Sequence, residues 1–226
     1  MADLSAIQAI LFDTEGVIYH RPRQDRHLRA FLQQHELEPR HPSILKRALR
    51  AARFDVLTGR ISVETYFDAV LRTHGISDPA LLEEGRAALF RDAADIELYP
   101  GVIETLTHLQ NAGLRLGAAV DSPHTAGEEI AWLAARQLSP GLWSVFVVSS
   151  AVGATKTEPL IFERALHQLG LLPGAVAFVG HDSAEFAAAT SLGLLTIAFL
   201  PDDPAVETDY AISTIYGLEE LLSKTP

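Results

Sequence analysis

Cysteine is absent from the 226 residues, which excludes disulfides, thiolate catalysis and cysteine-based zinc sites. Any bound metal must take oxygen or nitrogen ligands. Basic residues are sparse: 18 Lys and Arg stand against 29 Asp and Glu, the net charge is −11, and no long basic block occurs. That balance argues against nucleic acid or an anionic membrane as a partner. Long apolar runs are also missing. The opening stretch MADLSAIQAILFD carries neither a basic leader nor a small-residue cleavage site, and its apolar run over residues 7–12 is too short for a bilayer. A cytoplasmic location is the resulting expectation. No Gly-x-Gly-x-x-Gly follows that run, which disfavours a dinucleotide-dependent dehydrogenase.

What is present describes a globular protein. Hydrophobic residues make up 48% and charged residues 21%, with 15 Gly and 12 Pro. At roughly 150 residues per domain the chain holds one full domain and a smaller unit. Residues 7–12, IQAILF, read as a strand buried on both faces. From about residue 20 to 95 the spacing turns helical in RQDRHLRAFLQQHEL, PSILKRALRAARFDVL, SVETYFDAVLRTHG and DPALLEEGRAALFRDA. Ser62 and the pair Asp78-Pro79 mark helix starts. No strand signal interrupts this stretch, so it is expected to be an all-helical insert joined by linkers near residues 17–22 and 94–100.

Beyond Pro100 helices and strands alternate. The helices are GVIETLTHLQNAG, AGEEIAWLAARQL, PLIFERALHQLG and AEFAAATSLG; the strands are LRLGAAV, SVFVVSS, AVAFVG and LLTIAFL. DYAI and a final helix GLEELLSK close the chain. This order predicts an α/β fold with a doubly wound parallel sheet. Ligands of such sheets lie beyond the carboxyl ends of the strands. Asp13, Thr14 and Glu15, then Asp121 and Ser122, then Ser149, Ser150 and Lys156, then His181, Asp182 and Glu185 fall there. In Asp13-Thr14-Glu15-Gly16-Val17, Asp13 suits a covalent nucleophile and Glu15 a general acid and base, whereas the plainer reading makes Asp13 a turn cap.

The segments ILFDTEGVIY, LGAAVDSP, VGATKTEPLIFERAL and AFVGHDSAEFAAATSLGLLTIAF resemble, in order and spacing, the four motifs of the haloacid dehalogenase-like hydrolase superfamily. The resemblance implies a core of residues 1–19 and 96–226 with an inserted type-1 helical cap over 20–95. It implies Asp13 as nucleophile, Glu15 as acid and base, and Lys156 as the cation neutralising the transferring group. Asp121 and Ser122 would contact substrate. Asp13, Glu15, Asp182 and Glu185 would hold a metal, with Mg2+ expected for an all-oxygen set facing phosphate. Three positions depart from the pattern: Glu15 where Asp is usual, Val120 where a hydroxyl is usual, and His181 where the first acid of the fourth motif is usual. The first reading is a Mg2+-dependent phosphatase of a small phosphorylated metabolite. Five carboxylates against one lysine make strictly metal-dependent turnover the expectation. The alternatives are a metal-free 2-haloacid dehalogenase and a binding or regulatory protein that kept the fold. A monomer or homodimer is expected, with a small molecule as partner.

Other residues stay open. His20, Arg21, Arg23 and Arg26 either line the site's entrance or form a solvated helix start. Arg47, Arg50 and Arg53 either face the substrate or water. Trp132 and Trp143 read as packing residues, His124 as an exposed helix-start histidine, Glu128-Glu129 as first-turn helix charge, and Asp202, Asp203 and Pro204 as a surface turn.

Overall fold

The computed structural model describes residues 4–223. Lys224, the end of the expected closing helix, lies outside them, as do the first three residues of the opening stretch. β1 (Ala9–Phe12) is buried along its whole length and sends alternate side chains to opposite layers. Ile10 and Phe12 join one apolar cluster and Ala9 and Leu11 another, as a strand covered on both faces requires. A two-residue strand, β2 (Tyr19–His20), follows, and then five helices. These are α1 (Arg26–Gln34), α2 (Pro42–Ala48), α3 (Arg50–Leu57), α4 (Val63–Thr73) and α5 (Pro79–Ala94). β3 (Glu97–Leu98) returns antiparallel to β2.

The remainder alternates as expected: α6 (Val102–Asn111), β4 (Arg115–Val120), α7 (Ala126–Ala135), β5 (Trp143–Val148), α8 (Ser149–Val152), α9 (Pro159–Leu169), β6 (Val176–Gly180), α10 (Ser183–Leu192), β7 (Leu195–Phe199), β8 (Tyr210–Ile212) and α11 (Gly217–Ser223). Six strands form one parallel sheet in the order β5-β4-β1-β6-β7-β8. Leu106 of α6, Leu133 of α7 and Leu218 of α11 cover one face. Phe162 of α9 and Phe186 of α10 cover the other. β1 lies in the middle, with β4 on one side and β6 on the other. No helix among the described residues is long and apolar enough to cross a membrane.

Helices α1 to α5 enclose an apolar cluster of their own, built on Leu28, Phe31 and Leu32, Phe67, Val70 and Leu71, and Leu82 and Leu89. Ser62 Oγ accepts from Thr65 N at 3.2 Å, and Asp78 Oδ1 from Ala80 N and Leu81 N at 3.0 and 3.1 Å, so both expected caps form. Tyr19–His20 and Glu97–Leu98 pair in the expected linkers on either side of this helical stretch, a match too short to leave a periodicity to read. One expectation needs correction. The run PSILKRALRAARFDVL is not one helix, since the backbone leaves helical geometry at Leu49 (φ −101°, ψ 4°) and turns α3 away from α2. The two serines of SVFVVSS likewise leave the strand and start α8.

The central strands approach closely at Gly117. A methyl group there would lie 2.4 Å from Val145 Cγ1 and 2.8 Å from Leu11 Cδ2. Gly117→Ala should therefore cost about 1–3 kcal/mol of stability through overpacking, read as a lower urea midpoint with an unchanged slope.

Candidate active site

The parallel sheet collects the candidate residues at one edge. Asp13 follows β1, Asp121 follows β4, Ser149 follows β5 and His181 follows β6. The turn after β1 is tight: Thr14 O accepts from Ile18 N and Tyr19 N at 2.9 Å, and Gly16 N donates to Tyr19 O at 2.8 Å. Gly16 stands at φ +88°, a conformation glycine adopts without strain. A Cβ there would also lie 2.7 Å from His181 Cε1. The glycine thus bends the chain and leaves room for the imidazole.

Asp13, Lys156 and Glu185 form the buried centre. Lys156 is 2% exposed, and its Nζ lies 2.6 Å from Asp13 Oδ1 and 2.9 Å from Glu185 Oε1. Asp121 Oδ1 accepts from Lys156 N at 2.9 Å, which fixes the loop that carries the lysine. Burial alone would raise the Asp13 carboxyl, but the Lys156 charge and the His181 contact outweigh it and hold it below the usual carboxylate range. Burial weighs against the Lys156 ammonium, yet Asp13 and Glu185 keep its pKa above the ordinary lysine value. Glu185 is pushed up to about 7 by burial, with Lys156 acting in the opposite direction. Burial likewise raises Asp121. The arrangement gives an ionised carboxylate, Asp13, braced by a fixed ammonium.

The expected Mg2+ donors are not assembled. His181 Nδ1 lies 3.2 Å from Asp13 Oδ2, so both oxygens of Asp13 face nitrogen atoms. Contact with Asp13 raises the pKa of this imidazole. Asp182, expected to turn inward, caps α10 instead: its Oδ1 accepts from Ala184 N at 2.8 Å. Glu185 Oε1 is taken by Lys156, and Glu15 Oε2 by Arg21 Nη1. Glu185 Oε2 is buried without a partner. Each of these acids thus has an oxygen engaged by a protein partner, and no group of three or more His, Asp or Glu among the described residues is placed to hold the near-octahedral oxygen set that Mg2+ demands. The residues present do not fit the ion.

Glu15 and Ser122 belong to a second network. The Glu15 side chain is 54% exposed and lies in the cavity wall beside Asp13. Its partner Arg21 also donates to Ala93 O from Nε and Nη2 at 3.3 and 3.1 Å, and to Tyr19 Oη at 3.4 Å. Tyr19 Oη donates to Glu129 Oε2 at 3.2 Å, and Ser122 Oγ donates to Glu129 Oε1 at 2.6 Å. Ser122 lines the cavity, and its hydroxyl proton is committed to Glu129 in this network. Ser122 N also donates to Ser149 Oγ at 3.1 Å. Glu129, expected to be ordinary first-turn charge, is 2% exposed, and burial raises its pKa. Only its neighbour Glu128 has the expected role, completing a capping box with Thr125. Nothing in the spacing of Glu128-Glu129 separates the two; the burial of one face of α7 does.

A cavity of about 740 Å³ opens above Asp13, Glu15 and Asp121, between the sheet edge and helices α1 to α5. This volume lies within the range of small-molecule sites. His124, expected to be exposed, is buried in its wall. Its ring centroid lies 4.7 Å from Trp132, 5.7 Å from Phe90 and 6.0 Å from Phe67. Val120 is buried and lines the same space without offering a donor.

The fold and this edge define a doubly wound α/β hydrolase architecture with an acid-and-lysine centre at the strand ends. The chain belongs to the haloacid dehalogenase-like hydrolase family, whose model matches residues 7–193. A glyceraldehyde 3-phosphate phosphatase of Methanopyrus kandleri is 30% identical over 142 residues, 58% of this chain and 57% of that protein. The match thus spans little more than half of that relative. A 2-haloacid dehalogenase from Pseudomonas syringae superposes with a TM-score of 0.75 at 18% identity, covering 97% of this chain and 100% of that one. A HAD phosphatase from Thermococcus onnurineus gives 0.64 at 24% identity, covering 96% and 98%. These two likenesses establish the shared fold.

Two outcomes follow. Millimolar Mg2+ should leave the thermal midpoint of the protein unchanged, whereas His181→Asp, which adds a carboxylate beside Asp13, should gain several degrees on Mg2+ addition; calorimetric scans with Mg2+ or EDTA compare them. Burial lowers the His124 pKa to about 4 from 6.5. The unfolded chain then takes up this proton first, so stability is intact above pH 6.5 and falls as pH drops toward 4. The loss from this group amounts to up to about 3 kcal/mol. His124→Phe should flatten that part of the pH dependence in urea titrations.

Proposed function

We propose that this chain hydrolyses phosphomonoesters of small metabolites through a covalent intermediate on Asp13, with residues 20–95 acting as a cap over the sheet edge. The observation that carries the reading is the buried, ionised Asp13 held on Lys156 and opening onto a cavity of ligand size. The likeness to a phosphatase over 58% of the chain supports the choice of phosphorus as electrophile.

An Asp13 carboxylate oxygen attacks phosphorus in line, and the bond from phosphorus to the leaving alcohol breaks. Glu15, released from Arg21, takes up a proton from solvent and gives it to the leaving oxygen. Water then attacks the aspartyl-phosphate and yields its proton to Glu15, the acyl phosphate bond opens, and Asp13 returns as carboxylate beside inorganic phosphate. Lys156 offsets the charge on the transferring group throughout. His181 screens the second Asp13 oxygen. Asp121 acts by holding the Lys156 loop.

A second reading uses the same aspartate against carbon. Asp13 displaces halide from a 2-haloacid, and water cleaves the resulting ester. It is favoured by one observation, that His181 rather than a set of acids faces Asp13 Oδ2.

A panel of phosphate esters and 2-haloacids, assayed for phosphate and halide release with Mg2+ and with EDTA, tests both. Phosphate release is expected, and Asp13→Asn should reduce it by about three orders of magnitude or more. Halide release alone selects the second reading. Phosphate release that persists in Asp13→Asn removes the first.

A further inference from the structure

The floor and the roof of the cavity differ in charge. Of the 18 Lys and Arg residues, seven hold a carboxylate in an ion pair among the described residues. Five that do not, Arg29, Arg40, Lys46, Arg50 and Arg53, all line this one cavity, and all belong to its helical side. In a chain with 29 acids, basic side chains left to themselves usually find a carboxylate or scatter over the surface. Here they share a cavity wall.

Their placement follows from the break at Leu49. Arg47, Arg50 and Arg53 have the spacing of one helical stripe, but α2 ends before Leu49 and α3 begins after it. Arg50 and Arg53 therefore face the cavity, while Arg47 falls on a separate outer surface with Ser43, Ile44 and Ala48. The helical side carries two acids on the cavity, Asp25 and Asp92. Asp92 is engaged elsewhere, accepting from His27 N and Leu28 N at 2.7 and 2.9 Å at the start of α1. One carboxylate, Asp25, is left against five cations.

We propose that these side chains form a second anion site, so that the substrate is a small ester carrying a further anionic group, carboxylate or phosphate, at the end remote from Asp13. The proposal rests on the phosphoester reading for its reacting group. Arg50 and Arg53 are its centre, since successive turns of α3 present two guanidinium groups that a planar carboxylate or a phosphate engages through paired N–H bonds. Arg29 and Lys46 add charge from neighbouring helices.

A matched pair of substrates tests it. Glycerol 3-phosphate and 3-phosphoglycerate differ in a hydroxymethyl against a carboxylate group. The protein should favour 3-phosphoglycerate in kcat/KM by about tenfold or more, mainly through KM, and added KCl should erode the preference. Arg50→Ala with Arg53→Ala should abolish it while leaving glycerol 3-phosphate turnover within about twofold. The paired Lys variants should retain most of it. Both arginines are exposed, and circular dichroism melts check that each variant folds. Calorimetric binding of the two esters to Asp13→Asn separates this proposal from the hydrolytic one. Tighter binding of 3-phosphoglycerate that depends on Arg50 and Arg53 sustains the anion site even where turnover is absent. Equal binding and equal kcat/KM of the two esters, or a preference unmoved by the Ala pair, overturns it.

Discussion

The ammonium of Lys156 sets the terms for the strand-end edge. A charge with 2% exposure is stable only if counter-charges meet it with good geometry, because desolvating an ion costs several kcal/mol. Asp13 and Glu185 meet it from the ends of β1 and the start of α10. The requirement reaches the loops. The side chain of Asp121 is spent on Lys156 N, and Ser149 on the backbone of Ser122. Loops after β1, β4, β5 and β6 are thereby cross-braced by polar bonds that close on one another. The same lysine keeps Asp13 ionised despite burial, so the bond that the fold needs is the one a nucleophile needs.

The helices α1 to α5 are tied to this edge through Arg21. Its guanidinium reaches Glu15 at the sheet edge, Ala93 O in the last turn of α5, and Tyr19 in β2. A cation at a helix C-terminus meets unpaired carbonyls and the negative end of the dipole. Tyr19 continues the chain to the buried Glu129 and so to Ser122. A movement of α5 relative to the sheet must loosen Arg21 from Ala93, from Glu15, or from both. The position of the helices and the freedom of Glu15 are therefore one equilibrium rather than two.

Much of this was legible in the sequence, and what was not has physical reasons. The strands of the sheet appear as apolar runs because both faces are covered, and the caps at Ser62 and Asp78 appear because their chemistry is local. Asp13 and Lys156 stand out as ionisable groups at strand exits. The partnerships of Arg21, Glu129 and His181 do not. Each depends on a contact between segments far apart in sequence: Tyr19 with Glu129 spans 110 residues, and His181 meets Asp13 only because β6 pairs with β1. Asp182 misled because an acid after a strand serves equally as a metal donor or as the cap of the next helix. Here Ala184 N takes Asp182 Oδ1, and the acid serves as the cap of α10.

The charge of the edge also reads differently once the partners are known. Counted along the chain, five acids face one lysine, a balance that repels an anion. Arg21 removes Glu15 from that sum, and His181 and Lys156 share Asp13. Glu185, with its pKa near neutrality, carries only part of a charge. Asp182 lies at a helix start, where the dipole offsets it. What remains at the floor is less acidic than five carboxylates against one lysine, although the chain as a whole carries −11. With solvent screening the distant acids within about 10 Å, an anion entering the cavity responds to the local balance, and that balance is set by ion pairs that only the folded sheet edge creates.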